Sequence, residues 1–369
     1  MNLIYKEILG VEYVSCNLII NIGYKNNISL SKNDVHLIEH LIFHGHPNYS
    51  QGEIFDYFEE NGGIFNAQVF WDYTTIYFRI HETKLTESLS LLITCIKNFN
   101  IEEIDYTTEK KIISVEDSQL EQNFEYIATN NVLNKFYPNI PDNYFSDYNN
   151  ILKTYNDFYS IDRWKIIIVG DLNIKTLNKL KNKYEIEKNF KSKPNFFSDS
   201  KEFLSSKEHF KDENYYFSYL KLLGSDDLGA RLFQNLIFEG YSSCIYQKLV
   251  ESEAICYSIN STIIKTYEGN ILIVFSQYVG NENLIKEFFN MNFEKLIEDF
   301  SPKDLEKVKE KTLSNLYIKK ENIGLYSHLL VNNYAVSNNI LSYDDMISKL
   351  KQMSTIDIKN SIKNAIKRK

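Results

Sequence analysis

At 369 residues the chain is too long for one compact core and suits two domains of ordinary size. Hydrophobic residues make up 43% and charged residues 24%, globular values that exclude a disordered or fibrous chain. The formal net charge of −8 excludes the basic balance of a nucleic-acid binder and disfavours adsorption to anionic lipid.

In chain order, residues 11–24 (VEYVSCNLIINIGY) alternate and are rich in β-formers, as a half-buried strand would be. A helix follows: Ser31 or Asn33 can cap it, Val35, Ile38, Leu41 and Ile42 recur at helical spacing, and Gly45 stops it. GEIFDYFEENGG predicts a second short helix ending at Gly62-Gly63, and IFNAQVFWDYTTIYFRI predicts two strands. TKLTESLSLLITCIKNF predicts an amphipathic helix, and residues 107–136 have the length and periodicity of a single long one. The strand WKIIIVGDL and the helical NIKTLNKLKNKYE close the first half near residue 185.

Residues 186–205 lose periodicity and contain Pro194, so they predict a linker between a first domain at 1–185 and a second at 206–369. The second half repeats the plan more faintly: strand YYFSYLKLLG, helix DLGARLFQNLIF, the segment SSCIYQKLVESE, a strand pair CYSINSTIIKTY and NILIVFSQYVG, and terminal helices. Two α+β halves of similar order suggest an internal duplication.

The cysteines, Cys16, Cys95, Cys244 and Cys256, have no C-x-x-C spacing, so a reducing compartment is expected rather than a disulfide framework. The N-terminus lacks a basic start followed by a long apolar run, and no window approaches the length of a membrane span. The expectation is a cytoplasmic protein without a membrane partner.

In HLIEHLIFHG, His36 and His40 stand four apart, so on a helix their imidazoles leave the same face. That spacing suits two ligands of one zinc ion, and Glu39 sits where it could take a proton from a water at the fourth position. The order H-x-x-E-H is the inverted arrangement of the inverzincins. The motif alone leaves two readings open, a zinc site or a half-exposed helix that happens to carry histidines. A zinc site needs a third ligand. Glu109 and Glu116, seven apart on the long helix, share a face and could supply it, or could be a solvated acidic face.

HLIEHLIFHG, GGIFNAQVFWDYTTIYF, EKKIISVEDSQL and WKIIIVGDL, in that order, resemble the signature blocks of the pitrilysin and mitochondrial-processing-peptidase family of zinc metallopeptidases. That resemblance implies two homologous lobes, each a mostly antiparallel sheet covered by helices, facing each other across a chamber. It implies that His36, His40 and Glu116 bind one Zn2+ per chain, with Glu39 as general base and Glu109 orienting the ligands. His44, one turn beyond His40, is the rival ligand, and is expected instead at the surface or in support of the ligands. The stretch NAQVF resembles the family's edge strand for an extended peptide, which carries Asn66 and Ala67 over as substrate contacts.

In the second half, GYSSCIYQKLVESEAICYSINS resembles a family block that contains an arginine and a tyrosine used to hold substrate. Tyr257 keeps the tyrosine, Val250 falls at the arginine, and Ala254 replaces a glycine. Half a clamp implies a chain that works as the zinc-bearing member of a heterodimer, or in a homodimer. The function expected is peptide hydrolysis, extending to maturation of a ribosomally made peptide. The competing expectation is a structural or regulatory subunit that binds metal and does not cut; a metallohydrolase of other substrates ranks third.

Overall fold

The computed structural model describes residues 2–24, 31–136, 144–186, 204–210, 213–222, 227–266, 269–337 and 340–366. The architecture is α+β, as expected. The chain begins with β1 (Asn2–Glu7), β2 (Tyr13–Ile20), α1 (Lys32–Leu41), α2 (Gln51–Glu60), β3 (Ile64–Val69), β4 (Thr74–His81), α3 (Leu85–Asn98) and α4 (Glu103–Leu120). It continues with α5 (Phe124–Phe136), α6 (Tyr148–Phe158), β5 (Lys165–Gly170), α7 (Ile174–Lys183) and β6 (Glu185–Ile186). Then come β7 (Leu204–Phe210), β8 (Glu213–Leu222), α8 (Asp227–Ile237), β9 (Cys256–Thr266) and β10 (Gly269–Tyr278). The helices α9 (Glu282–Phe289), α10 (Phe293–Asp299), α11 (Pro302–Glu321), α12 (Ile323–Ser337), α13 (Tyr343–Gln352) and α14 (Thr355–Ile366) complete it.

Contacts divide the chain into two compact units, one of residues Met1–Gln122, Asn134–Ser192 and Asn322–Ile340, the other of Asn123–Leu133, Lys193–Glu321 and Leu341–Lys369. The linker expected at 186–205 lies, apart from its ends, outside the described residues.

The first unit is built on a six-stranded sheet in the order β3-β4-β2-β5-β1-β6. β2, β3, β4 and β5 pair antiparallel, and β1 runs parallel to β5 and β6. Alternation along β2 sends Cys16, Leu18 and Ile20 into a core shared with Val35, Leu37, Ile38 and Leu41 of α1. Ser15 and Asn17 fall on the opposite face, where α12 packs on β2 and β5. Hence a helix from far along the sequence covers the second face of the first sheet. The Asn17 Nδ2 amide donates to Ser327 Oγ of α12 at 2.5 Å.

The single long helix expected over 107–136 is two helices. α4 stops at Leu120, and Asn123 opens α5 by accepting the Tyr126 N–H on its side-chain oxygen at 3.1 Å. Glu121-Gln122-Asn123 carries no apolar residue to bury, and an Asn cap competes well there. β1 and α6 were not anticipated by the sequence pattern. β1 is a short strand whose partners lie more than 150 residues downstream, so nothing local announces it.

The second unit has a four-stranded antiparallel sheet, β7-β8-β10-β9. α8 packs on α14, with Gly229 so close that a Cβ there would lie 2.5 Å from the Ser361 carbonyl oxygen. Between α8 and β9 a π-helical turn covers Tyr246–Ser252, and two residues later Ala254 adopts φ 51°, in the left-handed region. Left-handed backbone costs a Cβ-bearing residue about 1–2 kcal/mol, part of which glycine returns as lost entropy. Ala254→Gly is therefore expected to stabilise the protein by about 0.5–1 kcal/mol, since Ala254 is exposed and little packing is lost with its methyl. A thermal-unfolding midpoint that falls on this substitution would contradict the strain.

Candidate metal centre

α1 is fixed at its start by a capping box. Ser31 Oγ accepts the Asp34 N–H at 3.1 Å, and the Asp34 carboxylate accepts the Ser31 N–H at 3.2 Å. Asp34 is fully buried and also accepts from Ser146, at 2.8 Å from its N–H and 2.7 Å from its hydroxyl. The helical period then places His36, His40 and, in the short 3-10 extension Ile42–Gly45, His44 along one side. α4 crosses this side and brings Asp105, Glu109 and Glu116 to it.

The Glu116 Oε2 atom lies 3.6 Å from His36 Nε2 and 3.7 Å from His40 Nε2. These three residues offer ligand atoms all within 4.8 Å of one another. Tetrahedral donors at zinc bond lengths would be about 3.3–3.4 Å apart, so a small contraction would close the group on an ion. Glu39 Oε2 is 3.7 Å from His36 Nε2, beside the cluster. The His40 ring is aimed by its other nitrogen: Nδ1 meets Glu109 Oε2 at 2.8 Å. Glu109 is ionised, so Nδ1 carries a proton, and in the neutral ring Nε2 would present its lone pair to the cluster.

Electrostatics acts differently on the two histidines. Burial, and then the neighbouring His40, hold the His36 imidazole down to about 4, so it stands neutral and ready to ligate. Burial works against the charged form of His40, but the Glu109 hydrogen bond and the surrounding carboxylates outweigh it and raise its pKa. Glu109 is held down to about 2, since its bonds to His40 and His44 overcome its burial. Burial pushes Glu39 up to about 7; His40 opposes this, and Glu116 and Glu109 add to it. The carboxylates gathered around the neutral His36 imidazole leave negative charge that a divalent cation would offset.

His44 is not in the three-residue group. Its Nε2 meets Glu109 Oε1 at 2.9 Å and its Nδ1 lies 3.2 Å from Asp105 Oδ1. Asp105 in turn caps α4, accepting the Glu102 N–H at 2.8 Å. Sequence reasoning missed Asp105, although its i, i+4 spacing to Glu109 was the available signal. Asn66 and Ala67 lie on β3, the outer strand of the sheet, with exposure alternating along it. Asn66 is exposed, and its Oδ1 accepts the Ala67 N–H at 2.8 Å. Tyr257 belongs to the second unit, on the outer strand β9, and is 82% exposed. Val250 is half-buried in the π-helical turn.

Comparison with known proteins gives a consistent picture. A family model described as insulinase (peptidase family M16) matches residues 9–143, and one described as the peptidase M16 inactive domain matches residues 147–312. An uncharacterized zinc protease of Rickettsia bellii is 20% identical over 94% of this chain and 88% of its own. The zinc protease PqqE of Helicobacter pylori is 21% identical over 87% of this chain and 79% of its own. The crystal structure of a protease from Helicobacter pylori superposes with a TM-score of 0.74 at 16% identity, over 96% of this chain and 91% of that one.

Replacing the Glu109 carboxylate by an amide, Glu109→Gln, is expected to weaken zinc binding about 10- to 100-fold, because the anion that fixes the His40 tautomer is lost. Competition with a chromogenic chelator measures this; an unchanged affinity would remove Glu109 from any part in metal binding.

Proposed function

Because the chain belongs to the pitrilysin family of zinc metallopeptidases, peptidase family M16, we propose that it is a zinc endopeptidase acting on peptides or unstructured segments. The observation that carries this reading is the joint presence of the His36, His40 and Glu116 donor group and a buried carboxylate, Glu39, at its flank. His36 and His40 would hold the ion through Nε2 and Glu116 through Oε2. Bound zinc supplies Lewis-acid chemistry, lowering the pKa of water toward about 7 and polarising a carbonyl.

The chain's own groups do the rest. Glu39 accepts the proton of the attacking water and returns it to the leaving amine. Its burial raises its proton affinity, which favours holding the proton between the two transfers. Glu109, gripped by His40 and His44, keeps the His40 ring from turning. The outer edge of β3 at Asn66 and Ala67 would pair with an extended peptide through main-chain hydrogen bonds, which accept many sequences. For that, the Asn66 side chain must release the Ala67 N–H it now holds.

In this reading Tyr257 contacts substrate and Val250 leaves the clamp without its arginine. The chain is accordingly the zinc-bearing member of a heterodimer whose second chain brings the missing cation, and a ribosomally made peptide is a candidate substrate. Among the described residues no helix is long and apolar enough to cross a membrane. The alternative, a subunit that binds metal without cutting, draws on the family model of an inactive domain over residues 147–312.

Glu39→Gln separates the two readings. It is expected to lower cleavage of a quenched peptide library about 100- to 10,000-fold while zinc content stays at one per chain. A wild-type protein that cleaves nothing, alone or with a second family chain, would favour the non-cutting subunit. The clamp has its own test. Activity of the isolated chain is expected to be weak and to rise when a related chain carrying the arginine is added. Strong cleavage by the isolated chain would defeat the heterodimer.

A further inference from the structure

On the face of the first sheet opposite α1 lies a cavity of about 260 Å³. Its floor follows directly from strand register. Ser15 pairs with Arg79 and Asn17 with Tyr77 across β2 and β4, and Thr75 pairs with Gln68 across β4 and β3. α12 roofs it: Gly324, Leu325, His328 and Val331 fall on one side of the helix and complete the lining.

Polar atoms in this cavity are unspent. The Arg79 Nε has no hydrogen-bond partner among the described residues, and neither does the Thr75 hydroxyl, although Thr75 is only 3% exposed. A buried donor left so costs about 1–3 kcal/mol unless something occupies it. No aspartate or glutamate is among the lining residues, so the guanidinium has no carboxylate beside it there. Its place is nonetheless firm. Arg79 stacks with its guanidinium 5.9 Å from the centre of the Tyr77 ring, and against Gly324, where a Cβ would fall 2.3 Å from the guanidinium carbon. A side chain at 324 would therefore expel it. The N-terminal end of α12, capped by Asn322, adds its positive partial charge to the same place. Burial lowers the proton affinity of His328, whose ring lies tilted beside that of Phe70 with ring centres 5.6 Å apart.

We propose that this cavity binds a small monocarboxylate bearing an apolar group. The planar guanidinium offers two parallel N–H donors to a carboxylate, with the Thr75 hydroxyl as a further donor. Phe70, Leu325 and Val331 supply an apolar wall for the remainder of the ligand. A volume of about 260 Å³ holds the equivalent of roughly nine waters at liquid density, the size of a branched short-chain acid or an acylated amino acid. Because no acidic group among the described residues lines the cavity, a free amino acid would bury its ammonium unpaired, which disfavours it. The carboxylate therefore belongs to a small organic acid or to the C-terminus of a peptide. Either way the site is on the other side of the sheet from the metal centre and needs no turnover.

Isothermal titration calorimetry of the full chain with sodium isovalerate, N-acetyl-L-leucine and, as the uncharged control, isovaleramide tests this. The expected result is saturable binding of at least one acid with a dissociation constant of about 1 mM or tighter, none of the amide, and at least a tenfold loss in Arg79→Gln. Tighter binding of N-acetyl-L-leucine identifies a peptide terminus; tighter binding of isovalerate identifies a free acid. Thr75→Val removes a hydroxyl that has no partner, so it is expected to fold normally and still to weaken binding several-fold, which keeps the test open if Arg79→Gln does not fold. Glu39→Gln should bind as the wild type does. No saturable binding of either acid, equal binding of the amide, or full binding in both cavity variants overturns the site.

Discussion

The carboxylate of Glu109 joins the two helices of the candidate metal centre. It is almost completely removed from water, and a buried anion persists only where its charge is met. His40 and His44, one turn apart, meet one oxygen each. The pairing fixes the rotation of α1 against α4, since a turn of either helix would strand the charge. It also fixes which nitrogen of His40 carries the proton, and with it the direction of the lone pair facing Glu116. α1 is thus tied at both ends, by Asp34 to the Ser146 backbone and hydroxyl near its start and by the His44 contacts beyond its end. Donors set on two helices tied in this way need little reorganisation to take up an ion.

The sheet of the first unit separates two chemistries. The face toward α1 is apolar in its interior, with Cys16, Leu18, Ile76 and Phe78 packed under the helices that carry the metal donors. The other face is polar at Ser15, Asn17, Thr75 and Arg79, apolar at Ile167 and Val169 beside them, and meets a helix that is buried on nearly every side. Period-two alternation gives one pair of neighbouring strands both duties: successive residues of β2 and β4 serve the metal-bearing layer and the cavity in turn. β3, at the end of the sheet, keeps one backbone edge free of described strands.

Much of the site could be read from the sequence because its information is local. His36, Glu39 and His40 fall within five residues, and a helix period turns that spacing into geometry. Glu109 and Glu116 share a face for the same reason, but their approach to the histidines is a tertiary fact that only the family resemblance supplied. The Asp105–His44–Glu109 chain could not be read, since each member has an ordinary solvated explanation until α1 and α4 are brought together. In the fold, amphipathic α3 and the hairpin β3–β4 follow from pattern. The division between α4 and α5 does not, because a cap at Asn123 overrode a helical period that runs on past it. α12 is hardest of all. It is apolar around most of its circumference, so its sequence says that it is enclosed and not by what.

The placement of α12 has a consequence for the history of each molecule. Residues 322–340 belong to the unit that begins at the N-terminus, so the second face of that unit's sheet must wait for its cover until most of the chain has left the ribosome. Translation at about 5–20 residues per second leaves Ser15, Asn17 and Thr75 without α12 for some ten seconds or longer, while the opposite face can already pack against α1 and α3. The polar residues of that face tolerate the interval in water, whereas Ile167 and Val169 beside them are the part inclined to stick to other nascent chains. The same hydrophilic residues that make the cavity chemically distinctive would then also limit the apolar area that the half-made protein leaves bare during its synthesis.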